Sequence, residues 1–513
     1  MQLLRMKRRS PAARLAFRST LLAATLLSAP AFAQGVSADG AKQLQDSLAK
    51  TFGSGLFEKG ILSITPQGSA YAVKLDLAST LAQLKGAGVT ASFDPITYLA
   101  TPNSDGTYAV TSDSPINYNF SGTQGDKPFA MKVAAPCKSA GVFDPKISTF
   151  STYEVTCASM AMDMEDPEST VTASMGAITS KLTGTAGSGG GVNISTTGSA
   201  TDFVENIVGK TKPLTIKVSA KSLASDGKVD NLQLTTVLEF IGMAANSKDP
   251  KELIGKQAEI KQKLTAALPL WNNLSGTTKL NEVTVETPLG PVKLGSLSYG
   301  VGMTGAVKDA SYGIDIKYDG LALPQSPAIP GWVAPLVPGE GNIDVKFEGV
   351  DLEAIAKLAI ENFDASKDPP IPNELTPQFL ALFMAGQPHV TLAPSTFTAP
   401  AGAVSAEGKM SVMPSQKGKV TISATNLDQI IAAVNNAQVP NKESALMGIA
   451  LIKGLAKTGA DGKAVWDVDF DAATKAVSVN GQVLSAGNGG GAAPGAGGGD
   501  EGGDDEGEGD NAQ

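Results

Sequence analysis

Histidine, cysteine and aromatic residues are scarce here: one histidine, two cysteines, and 5% Phe, Trp and Tyr together in 513 residues. Each scarcity removes a class of chemistry. A zinc centre draws on His and Cys together, and a Ser–His–Asp arrangement would rest on His389 alone, with no GxSxG turn to present the serine. His389, in QPHVTLAP, is therefore read as a structural residue at the start of a strand, and no catalytic, cofactor-binding or metal-ligating residue is assigned. Few rings also means few stacking platforms for sugars. Two converging carboxylates among the 50 Asp and Glu would still suffice for hydrolysis, so a carboxylate-dependent hydrolase stays open as the least favoured reading.

Long apolar runs are missing beyond the N-terminus, where nothing approaches the ~18 residues that a membrane-crossing helix needs. The N-terminus itself carries Arg5, Lys7, Arg8, Arg9, Arg14 and Arg18, then an apolar run near Leu21–Leu27, then Ala31-Phe32-Ala33. That order predicts a secretory signal peptide over 1–33, cleaved after Ala33, and a periplasmic mature chain with no transmembrane segment. Ser10-Pro11 after Arg8-Arg9 favours the general secretory route over the twin-arginine one. Without the six basic residues of the leader, 35 Lys and Arg face 50 Asp and Glu, and seven of the acids stand in the last fourteen residues. So acidic a chain repels phosphate backbones, which excludes nucleic acid as a partner class.

The two cysteines, Cys137 and Cys157, flank two short extended stretches with Gly141 between them. In an oxidising compartment they can close as a clip across a hairpin, and a loop of that size is worth about 3 kcal/mol in the chain-entropy model. Two unrelated buried thiols are the rival reading, and the spacing excludes a CxxC redox pair.

What is abundant is alternation. Tyr71, Val73, Leu75 and Leu77 alternate with Lys74 and Asp76, as do Ile314, Ile316 and Tyr318 with Asp315, Lys317 and Asp319, and Ile343, Val345 and Phe347 with charged neighbours. These are half-buried strands. Asp105-Gly106, Asp226-Gly227, Asp319-Gly320, Asp461-Gly462 and Asn480-Gly481 read as turns between strands. WDVDFD (466–471) belongs to the same class: a calcium loop starting at Asp467 would need glycine at Ala472 and a carboxylate at Ser478. The strand accounts for all six residues and the loop for three, although an edge strand could still hold a weak ion.

Two segments, 341–363 and 418–437, share a glycine, an alternating strand, a polar break and an Ile-rich amphipathic helix, with Asp351 and Asn426 at or near the N-caps; 71–84 is a looser copy. Together they predict an α+β, β-rich fold: long curved antiparallel sheets, amphipathic covering helices, and a degenerate strand-to-helix repeat. Residues 251–268, with Leu253, Ile260, Leu264 and Leu268 at helical spacing, predict a further covering helix. The helix at 375–386 has little polar face, so Phe379 and Phe383 either are buried or cover an apolar cavity. In the proline-rich loop 324–338, Trp332 and Leu336 either pack down as a lid or meet a ligand. VGKTK (208–212) fails as a phosphate loop because Val204 stands where the first glycine is needed, and GSGGGVN (187–193) reads as a hairpin loop or linker. The expected layout is a leader (1–33), an N-terminal β-rich unit (34–212), a C-terminal α+β unit (213–486) and a disordered glycine-rich acidic tail (487–513).

The exported chain with GTYAV (106–110) after Asn103-Ser104-Asp105, the late apolar helix, Asp461-Gly462, the Trp466 strand and Val477–Gly481 resembles the Gram-negative periplasmic family catalogued as domain of unknown function 2125, over residues 40–485. The amphipathic repeat is also similar to β-rich envelope proteins of the AsmA type, associated with lipid handling. The resemblance implies a compartment and a fold but no catalytic residues, and the acidic tail departs from it. The expectation is a non-enzymatic cell-envelope protein binding a hydrophobic or lipid-like ligand, with Trp332, Leu336, Phe379 and Phe383 as candidate contacts; an envelope scaffold binding protein partners is the alternative.

Overall fold

The computed structural model describes residues 36–485, save 53, 79–80, 82–87, 125–126, 211–213, 247–253, 414, 437–441 and 460. The expected leader and tail, Leu253 and most of the helix expected near 77–84 lie outside the described residues. Twelve strands come first: β1 (Leu62–Gln67), β2 (Ala70–Leu75), β3 (Val89–Phe93), β4 (Ile96–Pro102), β5 (Tyr108–Ser112), β6 (Ile116–Gln124), β7 (Lys127–Ala135), β8 (Cys137–Asp144), β9 (Thr149–Cys157), β10 (Met160–Glu165), β11 (Ser169–Met175) and β12 (Ile178–Ala186). Four long strands follow: β13 (Val192–Gly209), β14 (Thr215–Leu232), β15 (Asn273–Thr287) and β16 (Gly290–Thr304). The remainder are shorter: β17 (Ala310–Asp319), β18 (Glu340–Val350), β19 (His389–Ala399), β20 (Gly402–Ser411), β21 (Lys417–Ala424), β22 (Lys457–Thr458), β23 (Ala464–Asp471), β24 (Ala476–Val479) and β25 (Gln482–Ser485).

All belong to one antiparallel sheet that does not close on itself. Its order is simpler than the strand count suggests. β3 and β4, β5 and β6, β7 and β8, β9 and β10, and β11 and β12 each run end to end, because both members of a pair face the next pair in one nearly constant register. Read so, the chain is a single up-and-down meander in which each long strand lies beside its neighbour in sequence. Short turns suffice for that arrangement, whereas parallel pairing would need long crossovers. The expected boundary at 212–213 falls between β13 and β14, which pair from Val192↔Leu232 to Val208↔Thr215.

A transverse crease explains the paired strands. Pro95, Pro115 and Pro136 interrupt three successive strands in register, and a proline has no N–H to give to the ladder. The line continues through Ala158-Ser159 and Gly176-Ala177, then through Asp202, Lys221, Glu282 and Gly295 inside β13 to β16. Asp202 and Glu282 have φ of 52° and 49°, the local departure from extended backbone that a bulge requires. Across it, the apolar residues step by three instead of two: Cys157 to Met160, Met175 to Ile178, Ala200 to Phe203, Ala220 to Leu223. The extra residue keeps them on one face, since Cys157, Met160 and Ile178 pack in one cluster.

Two helices fill the N-terminal curve of the sheet. α1 (Ala38–Phe52) and, after β14, α3 (Leu234–Asn246) place Leu44, Leu48, Leu234 and Leu238 against Leu62, Val73, Val110, Phe143 and Phe150; α2 (Gly55–Glu58) lies beside them. Leu48 and Phe143 are fully enclosed, each worth about 1.5–3 kcal/mol by burial. α4 (Gln257–Ala266) follows, then α5 (Leu352–Asn362), α6 (Thr376–Ala385), α7 (Leu427–Asn435) and α8 (Lys442–Leu455). Both strand-to-helix repeats thus form, as β18–α5 and β21–α7.

Two local expectations are corrected. Asp226-Gly227 is no turn: it lies within β14, with Asp226 opposite Thr197 on one side and Thr277 on the other. Glycine is needed there because a Cβ would sit 2.7 Å from Thr196 Oγ1, a close approach that sequence alone cannot tell from a turn. Asn426 does precede α7 but stands at φ 53° with no side-chain cap bond, whereas Asp351 caps α5 by accepting from the Ala354 N–H at 2.8 Å. Asp105-Gly106, Asp461-Gly462 and Asn480-Gly481 lie in turns, the last with φ of 51° and 84° in the β24–β25 hairpin, whereas Asp319-Gly320 ends β17 and opens the long loop to β18.

Candidate apolar binding track

One row of side chains crosses eight strands on the face that carries the helices. Ile194 pairs with Val229, Val229 with Leu274, Leu274 with Met303, Met303 with Tyr312, Tyr312 with Phe347, Phe347 with Val390 and Val390 with Met410. Directly opposed residues share a face, so the row is a continuous apolar track, and at a spacing of ~4.8 Å between strands it runs roughly 34 Å. Ile194 anchors one end in the N-terminal core. At Phe347 the ring stacks on Phe383 of α6, centroids 6.3 Å apart. α3, α4 and α5 touch in succession at the ends of β14, β15 and β18, lining that edge.

Between those anchors the face is open. Tyr299, Ile316 and Ile343 stand side by side on β16, β17 and β18, exposed by 45%, 37% and 38%, and Tyr312 in the track itself by 40%. Contiguous apolar exposure of this kind marks a surface that meets another apolar body.

The four candidate contacts do not share one site. Phe383, with Phe379 one turn before it and half-buried, reaches the track at Phe347. Leu336 lies in a single 3-10 turn, Ala334–Leu336, that contacts α7, and the Ala401 N–H donates to Pro335 O, so the proline-rich loop sits at the β19–β20 turn. Phe347 opposes Val390 whereas Gly341 opposes Phe397, which puts that loop and Phe383 at opposite ends of β18. Trp332 is half-buried in the packed loop.

WDVDFD forms β23. Trp466 is 6% exposed and its Nε1 donates to Ile452 O at 2.8 Å, while Asp469 and Asp471 pair across the strand with Lys419 and Lys417. Lys417 holds the Asp471 carboxyl below the usual range. With cations already opposite, these acids serve β21–β23 pairing; among the described residues no group of three or more His, Cys, Asp or Glu is placed to hold a metal. The concavity of about 700 Å³ beside them is lined by the charged or polar His389, Lys409, Lys417, Lys419, Asp469 and Asp471 and also by the apolar Phe470, Val477 and Val483. His389 Nδ1 approaches Gln387 O at 3.0 Å and its Nε2 lies 3.8 Å from Glu348, a bracing role at the start of β19. Cys137 and Cys157 form a disulfide across β8 and β9.

Sequence reasoning missed most of the track. Phe347 was visible as an alternating position, as were Ile316 and Ile343 beside the track, but Val229, Leu274, Met303 and Val390 align only through register. No helix among the described residues is long and apolar enough to cross a membrane. Comparison with protein-family models, curated proteins and solved structures finds no match to this chain.

Proposed function

We propose that the protein is an exported periplasmic envelope protein, of the kind represented by the domain-of-unknown-function family 2125, and that it works without catalysis by binding a hydrophobic, lipid-like ligand along the track. The observation that carries this reading is the exposed patch Tyr299, Ile316 and Ile343 beside Tyr312 of the apolar row, on a face packed at Ile194 and at Phe347. Half the ~30 Å hydrocarbon core of a bilayer is about 15 Å, so a track of roughly 34 Å accommodates an extended acyl chain with room to spare. Apolar lining with few polar groups suits such a ligand.

The test is mass spectrometry of protein purified without detergent, together with titration of a fluorescent fatty acid. Co-purified amphiphile and saturable probe binding are expected, with Ile316→Glu weakening the probe at least tenfold. Repeated recovery of ligand-free protein that binds no probe overturns the reading.

A second reading, a scaffold that binds protein partners, draws on α8, where Met447, Leu451 and Ile452 are 75%, 61% and 51% exposed. Crosslinking in intact cells separates the two, since a scaffold traps defined neighbours that Met447→Lys releases.

A further inference from the structure

Five of the thirteen methionines gather on one face of three neighbouring strands, well apart from the track. Met160, Met162 and Met164 alternate along β10. Met164 directly opposes Met131 of β7, and Met160 directly opposes Met175 of β11. All five are half-buried, whereas Asp163 and Glu165, between them in sequence, are exposed on the other face.

Apolar packing alone does not ask for methionine here. Strands favour β-branched and aromatic side chains, and Met162 is itself flanked by Val133 and Ala173 in the neighbouring strands. What methionine adds is a soft thioether sulfur on an unbranched arm with three rotatable bonds. Opposed residues hold their Cβ atoms about 5 Å apart and alternate residues of one strand lie about 6.6 Å apart, within reach of convergence for such arms. Met162 is central, lying between the opposed pairs Met131–Met164 and Met160–Met175.

We infer that this cluster is a binding site for a soft monovalent metal ion, Cu(I) or its analogue Ag(I), held by the thioethers of Met131, Met162 and Met164. Thioether ligands select Cu(I) over Mg(II), Ca(II) and Mn(II), which prefer oxygen. Competing ligands are few: the chain has one histidine, both cysteines are in the disulfide, and there is no free cysteine among the described residues. The inference does not rest on ligand binding by the track, which lies on other strands.

Calorimetric titration of the full chain, disulfide intact, with Ag(I), and with Cu(I) against a competing chelator, tests it. One ion bound per chain is expected, with Met162→Leu and Met164→Leu each weakening uptake at least tenfold. Leucine keeps volume and apolarity, so the urea midpoint and fatty-acid probe binding should be unchanged in these variants. Met447→Leu, on exposed α8, should leave uptake as it is. A wild-type chain that takes up no Ag(I) or Cu(I), or a Met162→Leu variant within twofold of wild type, overturns the assignment.

Discussion

Cys137 and Cys157 stand directly opposite one another in the β8–β9 ladder, Cα atoms 4.0 Å apart, each one residue from the crease at Pro136 and Ala158. The bridge staples the sheet where its backbone pairing is interrupted, and the cluster around it, Ala135 with Ile116, Val155, Met160 and Ile178, is built of strand residues alone. With a sequence separation of 20, the loop it closes is worth about 3 kcal/mol. Cys137→Ser with Cys157→Ser should lower the unfolding free energy from urea titration by that amount and speed exchange of the β7–β10 amides. An unchanged midpoint would show that the crease needs no staple.

Trp466 ties β23 to the C-terminal turn of α8 through its bond to Ile452 O. Trp466→Phe leaves that carbonyl without its partner and should cost about 1–3 kcal/mol, whereas Trp466→Ala, which also empties the pocket among Ile422, Leu427 and Leu455, should cost about 3–5 kcal/mol. Chemical denaturation of the two variants measures the difference. A Trp466→Phe variant as stable as wild type would mean that the hydrogen bond contributes nothing, and equal losses in the two variants would mean that the packing adds nothing to it.

The two strand-to-helix junctions should respond differently to mutation. Asp351→Ala removes a side-chain cap and should cost about 1 kcal/mol. Asn426→Gly should be neutral or mildly stabilising, because its φ of 53° is one that glycine adopts freely. Thermal midpoints of the pair decide it, and a loss at Asn426→Gly as large as at Asp351→Ala would contradict the geometry.

Acid should destabilise the fold. The Ala78 N–H and then Lys74 hold the Asp76 carboxyl below its usual range, and the Ser366 hydroxyl and Lys463 do the same for Asp364 and Asp461. A carboxylate whose folded pKa lies below its unfolded value of about 3.9 contributes fully above that value, and the contribution is lost as pH falls through the lower folded pKa. Melting temperature should therefore hold between pH 7 and about 5 and drop below about 4, with a shallower acid limb in Asp76→Asn. An acid limb unaffected by that variant would remove Asp76 from the account.

Alternation in VKLDL, IDIKYD and WDVDFD announced strands because a pleated chain presents successive residues to opposite sides, whatever lies beyond. The β18–α5 and β21–α7 junctions were legible for a similar local reason. α1 and α3 were not: Ala41, Leu44 and Leu48 have helical spacing, yet their significance appears only against the sheet they fill. The three prolines at the crease were visible singly, but their alignment is a property of register.

The amino-acid order by itself determined a β-rich chain with one-sided strands, a pair of cysteines within bridging distance along the chain, and helices that follow glycine-led strands. Only the tertiary structure decided which apolar residues stand together. Side-chain alternation is set within a few bonds, whereas the neighbours of Tyr312, of Met164 and of Cys137 are set by ladder register, which places residues far apart in the chain about 5 Å apart in space.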